Sequence, residues 1–269
     1  TKMIQQIIVS IIKFSPSTKR WFWRFWYNLF ARKSQHHDFR FMNYGYYEEG
    51  FHPSLSGGDE SERFPIQLYH HTATQVDISN SSVLEIGSGR GGGACYVQKH
   101  LGTNTVTGLD ISIDAVDLCQ SSYREPGLSF VQGDSEALPF EGAEFDVVLN
   151  IESSHCYGNI NQFLSEVRRV LKRGGFFLWC DFRTHDEMEK LFKSFISTGF
   201  SIKKEKDITP NIMLALEKLT PYRKNQIKNH VPKIIQGVFE SYAGVQGGSV
   251  NSAFLSGQLI YKSATLERN

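Results

Sequence analysis

VLEIGSGRGGGACYV, residues 83–97, runs from an apolar stretch with one acid into a turn of five glycines, then into residues suited to a helix. A strand, a side-chain-free turn and a helix make the first unit of a parallel α/β sheet. The missing side chains let a ligand approach the backbone, but they do not say which ligand. Gly87-x-Gly89-x-x-Gly92 satisfies the dinucleotide pattern, and Asp110 lies about where a ribose-binding acid belongs. A sulfonium nucleoside needs the same turn and the same acid, so neither feature separates the two.

Residues around the turn do lean one way. Glu85 stands two residues before Gly87. A carboxylate there can take hydrogen bonds from the glycine loop and adjoin a cation, but is ill placed beside a pyrophosphate. Further on, LSFVQGD closes on Gly133-Asp134, followed by SEALPF, which puts an acid where an adenine amino group could be read. FDVVLNI is followed by ESSHCY rather than a second phosphate loop, and no P-loop lysine is present.

From Ser81 onward, short apolar runs alternate with helical spacing, the pattern of a parallel sheet covered on both faces. SVLEIG, NTVTGLDIS, LSFVQGD, FDVVLNI and GGFFLWCDF read as five strands, GFSIKKEKDI as a sixth and SAFLSGQLIYKSA as a seventh. Helices are expected over 92–101, 113–123, 160–171 and 186–197. Residues 209–248, with helical spacing and internal prolines at Pro221 and Pro232, are long enough for an inserted lid.

The chain has 269 residues, 40% hydrophobic and 21% charged, with a formal net charge of +1. Near neutrality gives no support to nucleic acid as a partner. Four separate cysteines without a CxxC pair read as a reduced thiol set of the cytoplasm. The isoleucine-rich start is too short and polar to span a bilayer. WFWRFWYNLF, with Trp21, Trp23 and Trp26, reads as a buried helix, an interfacial helix on membrane or lipid, or a surface for a second copy.

Taken together, VLEIGSGRGG, VTGLDIS, GDSEALPF, FDVVLNIES and VLKRGGFFL resemble the motif series of class I S-adenosylmethionine-dependent methyltransferases. The resemblance implies a Rossmann-like α/β sheet of seven strands, mostly parallel with the last antiparallel. It implies S-adenosylmethionine as cofactor and S-adenosylhomocysteine as product. It implies roles as well: Glu85, Gly87, Ser88 and Gly89 at the methionine moiety, and Asp110 on the ribose with Ile111 against adenine. Asp134 and Ser135 would face the adenine amino group, and Asn150 and Ile151 the sulfonium end. FMNYGYY is similar to an aromatic segment of the natural-product and lipid-methylating branches, which makes Tyr44 and Tyr46 candidates at the cofactor or acceptor. With ESSHCY it looks most like natural-product O-methyltransferases of the phthiotriolone and microcystin types.

Methyl transfer to a hydroxyl needs alignment and removal of a proton. His155, just past the fourth strand, has the near-neutral pKa suited to a phenol or enol, and Glu152 could orient the imidazole or the substrate. The paired histidines His36-His37 and His70-His71 lack such a position. Asp181 and Cys180 could lend ligands to a metal, but too few carboxylates gather there and none is expected. The expected acceptor is an apolar small molecule, methylated on oxygen; nitrogen or carbon methylation of an amine, indole or prenyl compound is the alternative. A non-catalytic or macromolecule-directed module stands further off. The expected division is a helical cap over 1–65, a cofactor-binding core over 66–208, the lid over 209–248 and a closing strand over 249–269.

Overall fold

The computed structural model describes residues 40–231, 233 and 236–269. The expected N-terminal helix with Trp21, Trp23 and Trp26, and the pair His36-His37, lie outside the described residues. The part of the 1–65 cap that is described is an irregular run with a turn at 48–51, then a 3-10 helix, Gly57–Glu62, and the first residues of the helix that follows. Arg40 fastens the run by pairing with Asp59 and Glu62.

Helix α1 (Arg63–Ala73) leads into strand β1 (Ser82–Ile86). Then come α2 (Gly92–His100), β2 (Thr105–Asp110), α3 (Ile113–Ser122), β3 (Leu128–Gln132) and β4 (Phe145–Ile151). Helix α4 (Ile160–Val170), strand β5 (Leu171–Arg183), α5 (His185–Ser197) and β6 (Phe200–Asp207) follow. They form one seven-stranded sheet in the order β3-β2-β1-β4-β5-β7-β6. Strands β1 to β5 pair in parallel, and β7 (Ile260–Arg268) runs antiparallel between β5 and β6.

Alternation along the buried strands divides the core in two. Val83, Leu149 and Leu178 point to the face covered by α1, α2 and the N-terminal run, while Leu84, Val148 and Trp179 face α4 and α5. The caps follow from sequence. Ser112 accepts from the Ala115 N–H, Asn159 from that of Gln162, and Thr184 with Glu187 forms a capping box.

Residues 209–259 hold α6 (Thr209–His230), α7 (Gln236–Tyr242) and α8 (Ser249–Leu255). The expected closing strand therefore starts later than its sequence suggests. SAFL belongs to α8, where Asn251 and Phe254, three residues apart, are buried while Ser252 and Leu255 are exposed, a spacing that suits a helix. Gly257, at φ +71°, reverses the chain before β7 begins. Strand β5 also starts earlier than expected, at Leu171, with a register shift opposite Phe145 and Val147.

Candidate active site

The glycine turn stands at the carboxyl end of β1, where open α/β sheets receive ligands. Gly87 and Gly89 sit at φ +80° and +53°. The N–H groups of Gly87 and Ser88 donate to the Leu109 carbonyl at 2.8 and 3.0 Å. Asp110 ties the loops after β1 and β2 together, accepting from the Gly89 N–H at 2.8 Å and the Ser112 N–H at 2.9 Å. A Cβ on Gly87 would fall 1.9 Å from Ser153 Oγ, so the ESSHCY segment packs directly over the turn. A Cβ on Gly89 would meet only Met42 Cε, at 4.0 Å.

Glu85 is buried beneath the turn and accepts from the Tyr69 hydroxyl at 2.6 Å. Burial, opposed by that hydrogen bond and reinforced by Asp110, pushes its carboxyl up to about 8. Asn150 is fully buried and donates to the Ile86 carbonyl and to Tyr157 Oη, each at 2.9 Å. Ile151 lies in the core, whereas Ile111 is 58% exposed beyond β2. Asp134 is exposed and accepts from the Glu136 N–H, with Ser135 half-buried beside it. Among the described residues, Glu85 Oε2, Ser88 Oγ and Asn150 Oδ1 are buried without a hydrogen-bond partner.

His155 lies on a short 3-10 turn, Ser154–Cys156, after β4. Its backbone N–H and its ring Nδ1 both meet the Asp181 carboxylate, at 2.9 and 2.8 Å. Asp181, at the end of β5, is fully buried and also accepts from Ser154 Oγ at 2.8 Å and the Phe182 N–H at 2.9 Å. Burial works against its charge, but Arg183 and His155 hold the carboxyl well below the usual range. Burial likewise works against the imidazolium, and Asp181 together with Cys156 outweighs it, raising His155 to about 10.

Orienting the imidazole therefore falls to Asp181 rather than to Glu152. Glu152, at φ +48°, turns its carboxylate to the Tyr44 N–H at 2.8 Å and the Tyr261 hydroxyl at 3.0 Å. The reason is register: Ile151 pairs with Cys180, so the end of β4 delivers His155 to the residue that follows Cys180. Burial lifts the Glu152 carboxyl to about 7. Cys180, weighed as a metal ligand, is core: Thr72 donates to its sulfur at 3.3 Å. No group of three His, Cys, Asp or Glu is arranged to hold a metal among the described residues.

Phe182 centres an aromatic wall, 4.6 Å from the His155 ring, 5.4 Å from Tyr44 and 5.9 Å from Phe254. Arg223, from α6, lies 5.8 Å from the Tyr44 ring and donates to the Asn43 and Ala243 carbonyls. Tyr46 is not brought here. It is fully buried, stacked 4.3 Å from His71, with its hydroxyl bonded to Glu48 and receiving from Lys206. His70 and His71 serve the same layer, bonded to Tyr96 and Ser263. Sequence reasoning missed Tyr69, Phe182, Arg223 and Tyr261, and saw Asp181 only as a metal ligand. The apolar row Phe176, Leu178 and Cys180, on the same face of the strand, is the sequence signal for Phe182.

The chain matches a family model described as a methyltransferase domain over residues 84–179. It is 36% identical over 249 residues to the phthiotriol/phenolphthiotriol dimycocerosates methyltransferase of Mycobacterium tuberculosis, with 92% of each chain covered. It is also 36% identical over 217 residues to a fatty-acid O-methyltransferase of Mycolicibacterium smegmatis, covering 80% of this chain and 79% of that one. A solved geranyl diphosphate C-methyltransferase from Streptomyces coelicolor, in complex with Mg2+, geranyl diphosphate and S-adenosyl-L-homocysteine, gives a TM-score of 0.65 at 13% identity. That superposition covers 91% of this chain and 98% of the other, a likeness of fold.

Proposed function

The chain belongs to the S-adenosylmethionine-dependent methyltransferases, and from that premise we propose that its acceptor is a hydroxyl on an apolar, lipid-like small molecule. The observation carrying this reading is the His155–Asp181 pair at the ends of β4 and β5, backed by the wall of Tyr44, Phe182 and Phe254. The names of the relatives, which modify dimycocerosates and a fatty acid, point to acceptors of the same kind.

When bound, S-adenosylmethionine supplies an electrophilic methyl group on a sulfonium. Glu85, Gly87, Ser88 and Gly89 would hold its methionine end, Asp110 its ribose, Ile111, Asp134 and Ser135 its adenine, with Asn150 and Ile151 near the sulfonium. Three buried oxygens lacking partners, on Glu85, Ser88 and Asn150, support the fit, because a ligand bearing an ammonium and a carboxylate can satisfy them. Two carboxylates, Glu85 and Asp110, complement its positive charge.

In this mechanism His155 Nδ1 donates to Asp181, which fixes the tautomer and leaves Nε2 to take the acceptor's proton. Asp181 carries the charge opposite to the imidazolium that results. The aromatic wall excludes water and receives the acceptor's apolar body. Only neutral imidazole can accept the proton, so the rate rises with pH toward the value near 10 at which His155 is held. A cation bound beside the pair lowers that value.

The test is incubation with labelled cofactor and a panel of long-chain phenols, secondary alcohols, fatty acids, amines and prenyl compounds. Label on a hydroxyl oxygen supports the reading; label only on nitrogen or carbon refutes it. A carboxylate acceptor needs no base and would leave a His155→Ala variant active. No described helix is long and apolar enough to cross a membrane. We propose a cytoplasmic setting on a separate ground, the four free cysteines that read as a reduced thiol set. Trp21, Trp23 and Trp26 are left a place over the core, on a lipid surface or against a second copy, and vesicle sedimentation and solution mass would detect the last two.

A further inference from the structure

Tyr69 belongs to α1, outside every motif of the cofactor turn, yet its phenol reaches through the core to Glu85 at 2.6 Å. Both groups are buried. The approach depends on a glycine of the turn's own run: a Cβ on Gly93 would lie 1.9 Å from the Tyr69 ring and 2.5 Å from its hydroxyl oxygen. Phe41 from the N-terminal run packs edge-on against the same ring, 5.6 Å between centroids. Tyr69 thus occupies one carboxylate oxygen of Glu85, while Oε2 stays buried without a partner among the described residues.

We infer that Tyr69 is a positioning residue for the methyl donor: it holds Glu85 in one orientation and favours its charged form, so that Oε2 receives the donor's cationic methionine end. The inference rests on the assignment of Glu85 to that end, and not on the identity of the acceptor. A buried carboxylate without its donor keeps its proton more tightly, because the charged form loses its hydrogen bond. The phenol itself stays protonated, since burial and the nearby Glu85 charge raise it well above 10.

Other groups around this pair are few. Asp110 from β2 faces Glu85 and raises it, and the Ala94 N–H from α2 lowers it. Cys119 from α3 is a neutral thiol, pushed up to about 12 by burial and by the Asp110 and Glu85 charges. Cys180 from β5 and Glu152 after β4 face the Tyr69 side, where Cys180 is also held neutral by burial.

The test is the dissociation constant of S-adenosylmethionine, measured by calorimetry without acceptor from pH 6 to 9.5, for wild type, Tyr69→Phe, Glu85→Gln and the double variant. The donor's own ammonium titrates in this range but is common to all four proteins. Loss of a hydrogen bond to a buried charge predicts about tenfold weaker binding near pH 7.5 and a profile moved about one pH unit upward for Tyr69→Phe. In the Glu85→Gln background the second substitution should add nothing. A profile that superimposes on wild type overturns the inference, as does a loss equal at every pH that persists in the double variant. If Glu85→Gln alone binds like wild type, the assignment of Glu85 fails first, and the two failures are thereby separated. Should Tyr69→Phe unfold, Gly93→Ala keeps both partners and pushes the ring away; the same upward shift is expected, and an unmoved profile refutes.

Discussion

Replacing Asp181 by Asn removes the charge on which His155 rests. A rise of the imidazole from 6.5 to about 10 in the folded state corresponds to an upper limit of about 5 kcal/mol. Removing one partner of a buried pair usually costs about 3–5 kcal/mol, and the side chain of His155 is 22% exposed. We therefore expect about 3 kcal/mol of lost stability at pH 6. The raised His155 stabilises the fold fully below its unfolded pKa near 6.5 and ceases to do so as pH climbs through 10. The depressed Asp181 stabilises above the usual carboxylate range and fails only in acid. At pH 6 both contributions are present in full. Toward pH 10 the gap between wild type and Asp181→Asn should narrow by the share that the His155 charge contributes, leaving what Arg183 and the hydrogen bonds still give to the carboxylate. Glu85 titrates in the same range without facing the pair and drops out of the difference, whereas Glu152 is raised by Asp181 and lowered by His155, so the comparison is made in a Glu152→Gln background. Urea unfolding at pH 6, 8 and 10 with unchanged m measures it. A gap that stays constant across that range would refute the charged His155–Asp181 pair.

His155→Ala should lower turnover by about 10²–10⁴ while calorimetry finds donor affinity unchanged, and it should flatten the alkaline rise in rate; an unchanged rate would dismiss it as the base. Gly87→Ala meets Ser153 Oγ and a φ of +80° together, so unfolding curves should show a loss of about 2 kcal/mol or more, with weakened donor binding. Phe182→Ala opens the aromatic wall and should raise KM for an apolar acceptor about tenfold at an unchanged donor constant, on the scale of one lost aromatic contact surface. Equal changes in both constants would instead mean that the wall supports the cofactor turn.

Much of the sheet can be read in advance because its central strands are largely apolar on both sides and each has a turn glycine or a polar residue at or near its carboxyl end: Gly87, Asp110, Asn150, Asp181. What escapes is whatever depends on register or on a single backbone reversal. Nothing near His155 in sequence marks Asp181 as its partner; the pairing of Ile151 with Cys180 does. Tyr44 and Tyr46 look equivalent in FMNYGYY, yet Gly45 between them sits at φ +82° and breaks the extended alternation. One ring consequently turns to Phe182 and the other to His71. The run SAFL is apolar enough for a strand, and the i→i−4 bonds of the Ser252 and Ser256 N–H groups, with Asn251 and Phe254 buried three apart, assign it to a helix. Tyr69 could not be foreseen, since its reach to Glu85 is set by the packing of α1 on α2.

The place of β7 has a consequence for the nascent chain. It follows every other strand of the sheet in sequence, yet it lies inside the sheet, and β6 pairs with nothing else among the described strands. Until residues 260–268 emerge, β5 presents a bare edge and β6 has no neighbour, a condition that invites association with other chains. Tyr261, which donates to Glu152, arrives in the same segment. Synthesis thus makes the glycine turn long before the partner of Glu152, so that a chain stalled before residue 260 would expose sheet edges with the turn already formed.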